Sequence, residues 1–423
     1  MNLIGLRIKN IRKEKKLTLK EVAQGIISVP YLANIENGIK VASFETLMHI
    51  ARRLEIPEEV LLMSEEETNK DLLREMDEIF ELLVFSNPVE MEKRLNKIAE
   101  TVDLLHESPA IELSFYCLKV AFYYKTWEFA KAEEVEAKYL NSTEKRATDS
   151  FPRQLLSYYY YSQAVKHSHA TCDYPLAVEY WEKCVDITDN KDFHAVFHVY
   201  ICINYICQSI YEPALGHIQQ AWDLIKDEEQ ERFVAILYFY GYIYFQIGFM
   251  KEAKNRFEQT LHYFSKYPEA KKLYYFVVQL KMAEIENIEG NETLFDEKIT
   301  SLYEELMAYE TTNINFNNND YLVITELMVI FAEKGSVEKA TSLMGIMNRV
   351  MERVQELNYF MEYTETLLLY HQNEQVSYET KMIKLLKKID ASNDPILIDR
   401  VKKHASTHFA KSTKYKMAYD ILS

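Results

Sequence analysis

Glycine and proline are scarce in this chain, nine of each in 423 residues. All-β and loop-rich folds need both at their turns, so the shortage excludes those classes and suits long helices. The five cysteines (Cys117, Cys172, Cys184, Cys202 and Cys207) are odd in number and form no CxxC. They fit neither a disulfide framework nor a zinc site, and are expected as buried thiols of a reducing compartment. Long apolar runs are also missing. MNLIGLRIKNIRKEKK lacks a signal-peptide core, and charges or polar groups interrupt even the Tyr-rich segments before membrane-spanning length. A cytoplasmic location with no membrane partner follows as the expectation. GxxxxGK, GxGxxG and GxSxG do not occur. His194 and His198 stand i, i+4, but HAVFH lacks the glutamate of a zinc hydrolase, and His167 and His169 point apart on a helix. No enzyme activity, metal or cofactor is expected.

What is present is apolar and aromatic: 48% hydrophobic residues and 31 Tyr, enough for more than one core. The net charge of -16 is unevenly spread. Residues 1–63 carry ten Lys/Arg against seven Asp/Glu, a net of +3, whereas the remaining 360 residues carry a net of -19. A weakly basic module that can approach phosphates therefore precedes a large acidic body.

Five short helices are expected in the first module. Ile4, Ile8 and Ile11 repeat at helical spacing over 3–15. Thr18-Leu-Lys-Glu21 is a capping-box start that turns Val22 and Ile26 inward. In SVPYLANIENG, Ser28 caps a third helix, Pro30 sits in its first turn and Gly38 ends it. Ser43 caps a fourth, with Phe44, Leu47, Ile50, Ala51 and Leu54 on one face, and Pro57 opens a fifth. Two short helices joined by a tight turn and braced by three others form a helix-turn-helix arrangement.

Arg12, Leu17-Thr18, Glu21-Val22-Ala23, Tyr31-Leu32, Ile35-Glu36-Asn37-Gly38 and Ile50-Ala51 with Leu54 resemble the xenobiotic-response-element/Cro family of helix-turn-helix domains. The resemblance implies a structural ion pair between Arg12 and Glu36. It places Ser28, Val29, Pro30, Tyr31 and Asn34 toward bases, with Asn34 suited to an adenine edge and Val29 or Pro30 to a thymine methyl. Lys9, Lys20 and Lys40, with the N-terminal amides of helices 2 and 3, are the phosphate candidates. Leu19 stands where the family often has Gln, and Ala42 where it often has Pro. Specificity is therefore expected to lean on dimer spacing and DNA shape. The other reading of the module is a docking or dimerisation surface.

MSEEETNKD (63–71) separates the two charge regimes, and 64–71 is expected as an acidic hinge. Beyond it the chain repeats. NYICQSIYEPALGHIQQAWDL (204–224) and YGYIYFQIGFMKEAKNRFEQTL (240–261) each place an aromatic (Tyr205, Tyr244), a small turn residue (Ser209, Gly248), an alanine (Ala214, Ala253) and an apolar residue four further on (Ile218, Phe257). Ala132, Ala177 and Gly335/Ala340 fit the same frame, with Ala spacings of 37, 39 and 87 residues, the last room for two units. Such a period is that of stacked helical hairpins, and resembles tetratricopeptide repeats with longer loops. The expected fold is all-α: a five-helix domain over 1–63, then a right-handed solenoid of about nine hairpins over 72–423. NINFNNND (313–320) and KDEEQE (226–231) are expected between units.

In such repeats the first helix of each hairpin supplies the inner wall. Registering on the alanines puts Tyr124, Lys125, Gln163, Lys166, Tyr200, Asn204, Tyr238, Tyr242, Gln246, Lys281, Glu284 and Asn287 near the groove. Tyr, Asn, Gln and Lys on an apolar wall suit an extended peptide. YYYY (158–161) cannot point four ways into one groove, so some of these tyrosines are core.

A Cro-like head followed by tetratricopeptide-like repeats resembles the peptide-pheromone receptor family of Gram-positive bacteria and their phages, the Rap–Rgg–NprR–PlcR–PrgX group, with length and repeat number closest to its NprR-type members. The resemblance implies a quorum-sensing transcription regulator. It would bind a two-fold DNA site as a homodimer or higher oligomer, under control of a short signalling oligopeptide. Other readings are a repeat protein that sequesters or modulates a response regulator, and a ligand-independent phage- or antitoxin-type repressor.

Overall fold

The computed structural model describes residues 3–62, 69–85, 88–140, 151–225, 233–268, 271–311, 316–349, 357–392 and 395–422. Among these, all regular structure is helical. The chain divides into two compact units, Met1–Ile247 and Gly248–Ser423.

The first unit opens with five helices: α1 (Ile4–Glu14), α2 (Leu19–Ala23), α3 (Val29–Glu36), α4 (Phe44–Arg53) and α5 (Glu59–Leu62). Local chemistry sets their starts. The Thr18 hydroxyl accepts the Glu21 N–H while the Glu21 carboxylate accepts the Thr18 N–H, and Ser28 and Ser43 cap α3 and α4 through the N–H groups of Tyr31 and Thr46. Ile8, Ile11, Val22, Ala23, Leu32, Ile35, Leu47 and Ile50 close a small core. Phe44 departs from the expected inward face: it is 66% exposed at the first position of α4. Gly5 admits the closest approach in the module, because a Cβ there would lie 1.9 Å from the Ile35 carbonyl oxygen of α3.

The same unit continues with α6 (Lys70–Val84), α7 (Pro88–Thr101), α8 (Pro109–Lys125), α9 (Phe129–Val135, continued by a π-turn over Glu136–Leu140), α10 (Arg153–His169), α11 (Tyr174–Ile187), α12 (Lys191–Cys207), α13 (Tyr211–Ile225) and α14 (Phe233–Gln246). From α10 to α14 each helix packs on its neighbour in sequence, and first helices also meet first helices, α8 with α10 and α12 with α14. The second unit holds α15 (Met250–Lys266), α16 (Lys271–Ile288), α17 (Glu292–Thr311), α18 (Asn318–Glu333), α19 (Val337–Asn348), α20 (Leu357–His371), α21 (Gln375–Leu386), α22 (Pro395–Lys411) and α23 (Tyr415–Leu422), with α16, α18 and α20 stacked in turn.

Ala132, Ala177, Ala214, Ala253 and Ala340, the frame of the repeat, are all fully buried. The turns within hairpins share one device, a residue at positive φ: Trp127, Cys172, Ser209, Gly248, Gly290, Gly335, Asn373 and Thr413. Gly supplies that conformation without strain, while non-Gly residues hold it only when the turn imposes it. Of YYYY, Tyr158, Tyr159 and Tyr161 are core and Tyr160 is half-buried. Cys172 and Cys207 are exposed, against the expectation of five buried thiols: Cys172 lies in a hairpin turn and Cys207 is the last residue of α12, just before one. Residues 64–68 of the expected hinge lie outside the described residues, and Lys70 and Asp71 already belong to α6, capped by Asn69. KDEEQE lies wholly outside the described residues, as do 313–315 of NINFNNND. Asn317 to Asp320 of that stretch form a capping box that starts α18.

The helix-turn-helix module and the first repeats share one core. Leu3 and Leu6 of α1 pack in the cluster that holds Leu72, Met76 and Ile79 of α6 and Ile111 of α8. Arg7 lies at the junction, 2% exposed, with all five of its N–H donors engaged. Nε donates to Glu112 Oε2 at 2.7 Å, Nη1 to the carbonyls of Val60 (2.9 Å) and Leu105 (3.3 Å), and Nη2 to those of Glu107 (2.7 Å) and Leu104 (3.4 Å). Burial pushes the Glu112 carboxyl above its usual range, and the Arg7 charge and hydrogen bond only partly offset this. Around the rim, Lys138 pairs with Glu14 at 3.0 Å and Asn69 bonds Glu107 at 2.9 Å.

Two outcomes are expected. Gly5→Ala forces α1 and α3 apart and destabilises the chain by about 1–3 kcal/mol, read as a lower midpoint in chemical denaturation. Glu112→Gln leaves a buried guanidinium without its counter-charge and costs about 3–5 kcal/mol, whereas the pair Arg7→Met with Glu112→Leu restores most of that stability. A double-mutant cycle on the full chain reads the difference.

Candidate nucleic-acid interface and ligand groove

The recognition helix is set by contacts behind it. Arg12 Nε and Nη2 bond the two oxygens of Glu36 at 2.6 and 2.7 Å, and Arg12 Nη1 reaches the Leu17 carbonyl at 2.9 Å. This holds the Arg12 guanidinium above its usual range, the Glu36 hydrogen bond being the main cause. Arg53 of α4 donates to the carbonyls of Glu21 (2.7 Å) and Gln24 (2.9 Å), tying the end of α2 and the turn that follows it. Arg53 has no sequence signal beyond its place near the end of a helix.

With α3 so fixed, Ser28, Val29 and Pro30 are exposed at its N-terminus, and Tyr31 and Asn34 are half-buried. The Tyr31 hydroxyl donates to the Val41 carbonyl at 3.5 Å, linking α3 to the segment that leaves it. Lys20 and Lys40 are exposed and Lys9 is half-buried. The N-terminus of α2 differs from the expectation of a phosphate contact. Glu21 closes its capping box there, its carboxyl held down by hydrogen bonds from Thr18, so a negative charge stands where a phosphate would come. The segment after α3 carries Ile39 and Val41 (71% exposed) on the surface beside Lys40, and Phe44 at the start of α4 is exposed as well.

The residues expected on the inner wall have three fates. Tyr124, Gln163 and Lys166 converge on one buried carboxylate: Glu136 accepts from the Tyr124 hydroxyl at 2.7 Å, from Lys166 at 2.8 Å and from Gln163 at 3.5 Å. Lys125 donates to the Leu83 carbonyl at the end of α6 and to the Tyr161 hydroxyl at 3.1 Å. These four are therefore packed inside the repeats. Tyr200 stacks on Trp181 at 4.6 Å with the Lys125 ammonium 5.6 Å from its ring. Asn204, buried, donates to the Tyr200 carbonyl at 2.8 Å. Tyr238 is buried beside half-buried Tyr242, ring centroids 6.0 Å apart, and Gln246 is half-buried. In the second unit Lys281 and Glu284 pair with each other at 2.7 Å, burial raising the Glu284 carboxyl, and Asn287 is exposed.

Two of these side chains are incomplete. The amide oxygens Gln163 Oε1 and Asn204 Oδ1 are buried with no hydrogen-bond partner. They lie on α10 and α12, first helices of successive hairpins.

The histidines read from sequence are otherwise engaged. His194 bonds the Thr188 carbonyl at 2.8 Å, and His198 meets His217 of α13, Nδ1 to Nδ1, at 3.0 Å. Burial, then the neighbouring imidazoles, pulls His198 down to about 4. Among the described residues no three His, Cys, Asp or Glu side chains are grouped to hold a metal, and no helix is long and apolar enough to cross a membrane.

A helix-turn-helix family model matches residues 8–61. No curated protein sequence matches the chain. Solved structures do. The apo quorum sensor NprR from B. thuringiensis is similar over 84% of this chain and 99% of its own, at 14% identity and a TM-score of 0.63. A Rap protein complexed with competence and sporulation factor is similar over 84% and 96%, at 12% identity and a TM-score of 0.60. NprR in complex with its cognate peptide NprX is similar over 84% and 99%, at 14% identity and a TM-score of 0.57. Residues 8–61 are thus a helix-turn-helix domain, and the chain shares the fold of NprR and Rap.

Proposed function

We propose that this protein is a transcription regulator whose helix-turn-helix domain binds DNA under the control of a short signalling peptide held by the first helices of its repeats. The observation that carries the reading is a helix-turn-helix domain packed in one core with repeats whose fold is that of NprR and Rap. Within those repeats Gln163 Oε1 and Asn204 Oδ1, buried without a partner, would accept from a peptide once the repeats open around them. A buried acceptor left unsatisfied costs about 1–3 kcal/mol, and an extended peptide offers backbone N–H groups to relieve it. Tyr200, Tyr238 and Tyr242 nearby in sequence order supply rigid aromatic area. NprR, which shares the fold, has been solved with its cognate peptide NprX, and a Rap protein of the same fold with competence and sporulation factor.

On the DNA side, Ser28, Val29, Pro30, Tyr31 and Asn34 face the bases in this reading, while Lys9, Lys20 and Lys40 contact phosphates. A single module of this size binds weakly, so two copies place their recognition helices about 34 Å apart on a two-fold site. The peptide selects between conformations of the repeats that carry the two modules.

The double variant Tyr31→Ala, Asn34→Ala loses discrimination of about 1–3 kcal/mol on DNA fragments selected by the wild type from a random pool. Fluorescence anisotropy against salt reads it. Wild-type affinity falls steeply as salt rises, and the variant keeps its response to peptide. Wild-type affinity in the variant would move the DNA-reading surface elsewhere.

A further inference from the structure

A cleft of about 600 Å³ opens in the first unit where α6 crosses α10 and the start of α12. Its volume lies in the range of small-ligand and peptide pockets. The floor is apolar: Leu73 and Phe80 of α6 and Phe193 of α12, with the Phe80 ring 5.0 Å from Tyr158 and 5.5 Å from Phe193. The rim is polar, with Lys70, Arg74 and Arg153 set against Asp77 and Asp189. Both carboxylates are already engaged. Asp77 accepts the Tyr158 hydroxyl at 2.6 Å, and Asp189 pairs with Arg153 at 2.7 Å. Arg74 has only a loose 3.8 Å approach from exposed Asp71. The lining thus carries three cations against two carboxylates, a net charge of +1, with Arg153 and Asp189 paired and Lys70 and Arg74 left facing Asp77, in a body whose net charge is -19. Such a reversal of local sign selects anions.

We propose that this cleft takes the acidic end, a free C-terminal carboxylate or an acidic side chain, of a short apolar peptide. The proposal rests on the peptide-receptor reading and gives it a place and a direction of coupling. Apolar peptide side chains cover Phe80 and Phe193, and the anion meets Arg74 and Lys70. α6 is the first repeat helix after the DNA-binding module, and its Leu72, Met76 and Ile79 pack in one cluster with Leu3 and Leu6 of α1. A peptide seated against Lys70, Arg74 and Asp77 therefore loads the helix on which the DNA-binding module rests.

The test uses the full chain and two pooled random heptapeptide libraries, one with free C-termini and one amidated, recovered with the protein by gel filtration and identified by mass spectrometry. Recovered peptides are then resynthesised and titrated against the wild type, Arg74→Glu and Ser157→Trp. Arg74 is solvent-facing and Ser157 lines the cleft, so the first variant reverses the charge and the second fills the space. Melting temperature confirms that each variant folds. Recovered peptides are expected to be apolar with an acidic group, to bind Arg74→Glu about tenfold more weakly, and to lose binding to Ser157→Trp. Peptides that bind both variants as they bind the wild type overturn the cleft while leaving the receptor reading intact. So does recovery of peptides with no acidic preference that ignore Arg74→Glu. Recovery of nothing from either library overturns the receptor reading and the cleft together.

Discussion

The buried Arg7 guanidinium fixes the relation between the DNA-binding module and the repeats. It joins three pieces that lie 53 to 105 residues away from it in sequence: the carbonyl of Val60 in α5, the connection Leu104–Glu107, and Glu112 in α8. Neither ion of the pair can move away alone, because the other is left charged in a low-dielectric site. Leu3 and Leu6 share the core of α6 and α8, so the module packs directly on the first repeat helices. A change in the repeats that reaches DNA must carry α1 to α8 together, or break a contact worth several kcal/mol. This moves the mechanical emphasis from the acidic linker to the interface beside it.

The module was legible in the sequence because its determinants are local. Thr18 and Glu21, Ser28 and Tyr31, Ser43 and Thr46 are three residues apart, and the caps they form need nothing from the rest of the fold. The repeats were legible where a small residue is obligatory, at the buried alanines and at Gly248 and Gly335. Trp127, Cys172, Asn373 and Thr413 hold the same left-handed turn conformation without a glycine, so spacing alone could have found them. Arg7 and Glu112 were not legible, because a charged residue in an amphipathic helix reads as surface until its partner, 105 residues away, is known.

The inner wall was the least legible part. A helix turns by roughly 100° per residue, so an error of one residue moves a side chain from groove to core. Tyr124, Gln163 and Lys166 fell on the core side and gather around Glu136. That cluster shows why polar residues on these helices are ambiguous: the same amide or ammonium that suits a peptide backbone also suits a buried carboxylate. Only Gln163 Oε1 and Asn204 Oδ1 remain unanswered on α10 and α12, and that asymmetry is visible only with coordinates.

The orphaned oxygens also bound how much a ligand could do. A peptide shifts a two-state equilibrium only by its difference in affinity for the two states, and a full reversal of populations needs about 5.5 kcal/mol. Two satisfied acceptors at about 1–3 kcal/mol each supply roughly 2–6 kcal/mol, reaching the requirement only at the upper end. A receptor relying on them alone would respond weakly. Contacts on α6 close that gap differently, since they act on the helix that shares a core with α1. In the proposed reading, a ligand that touches α6 as well as the amide oxygens acts on the helix that shares a core with α1. One that touches only the amides leaves the Arg7 junction undisturbed.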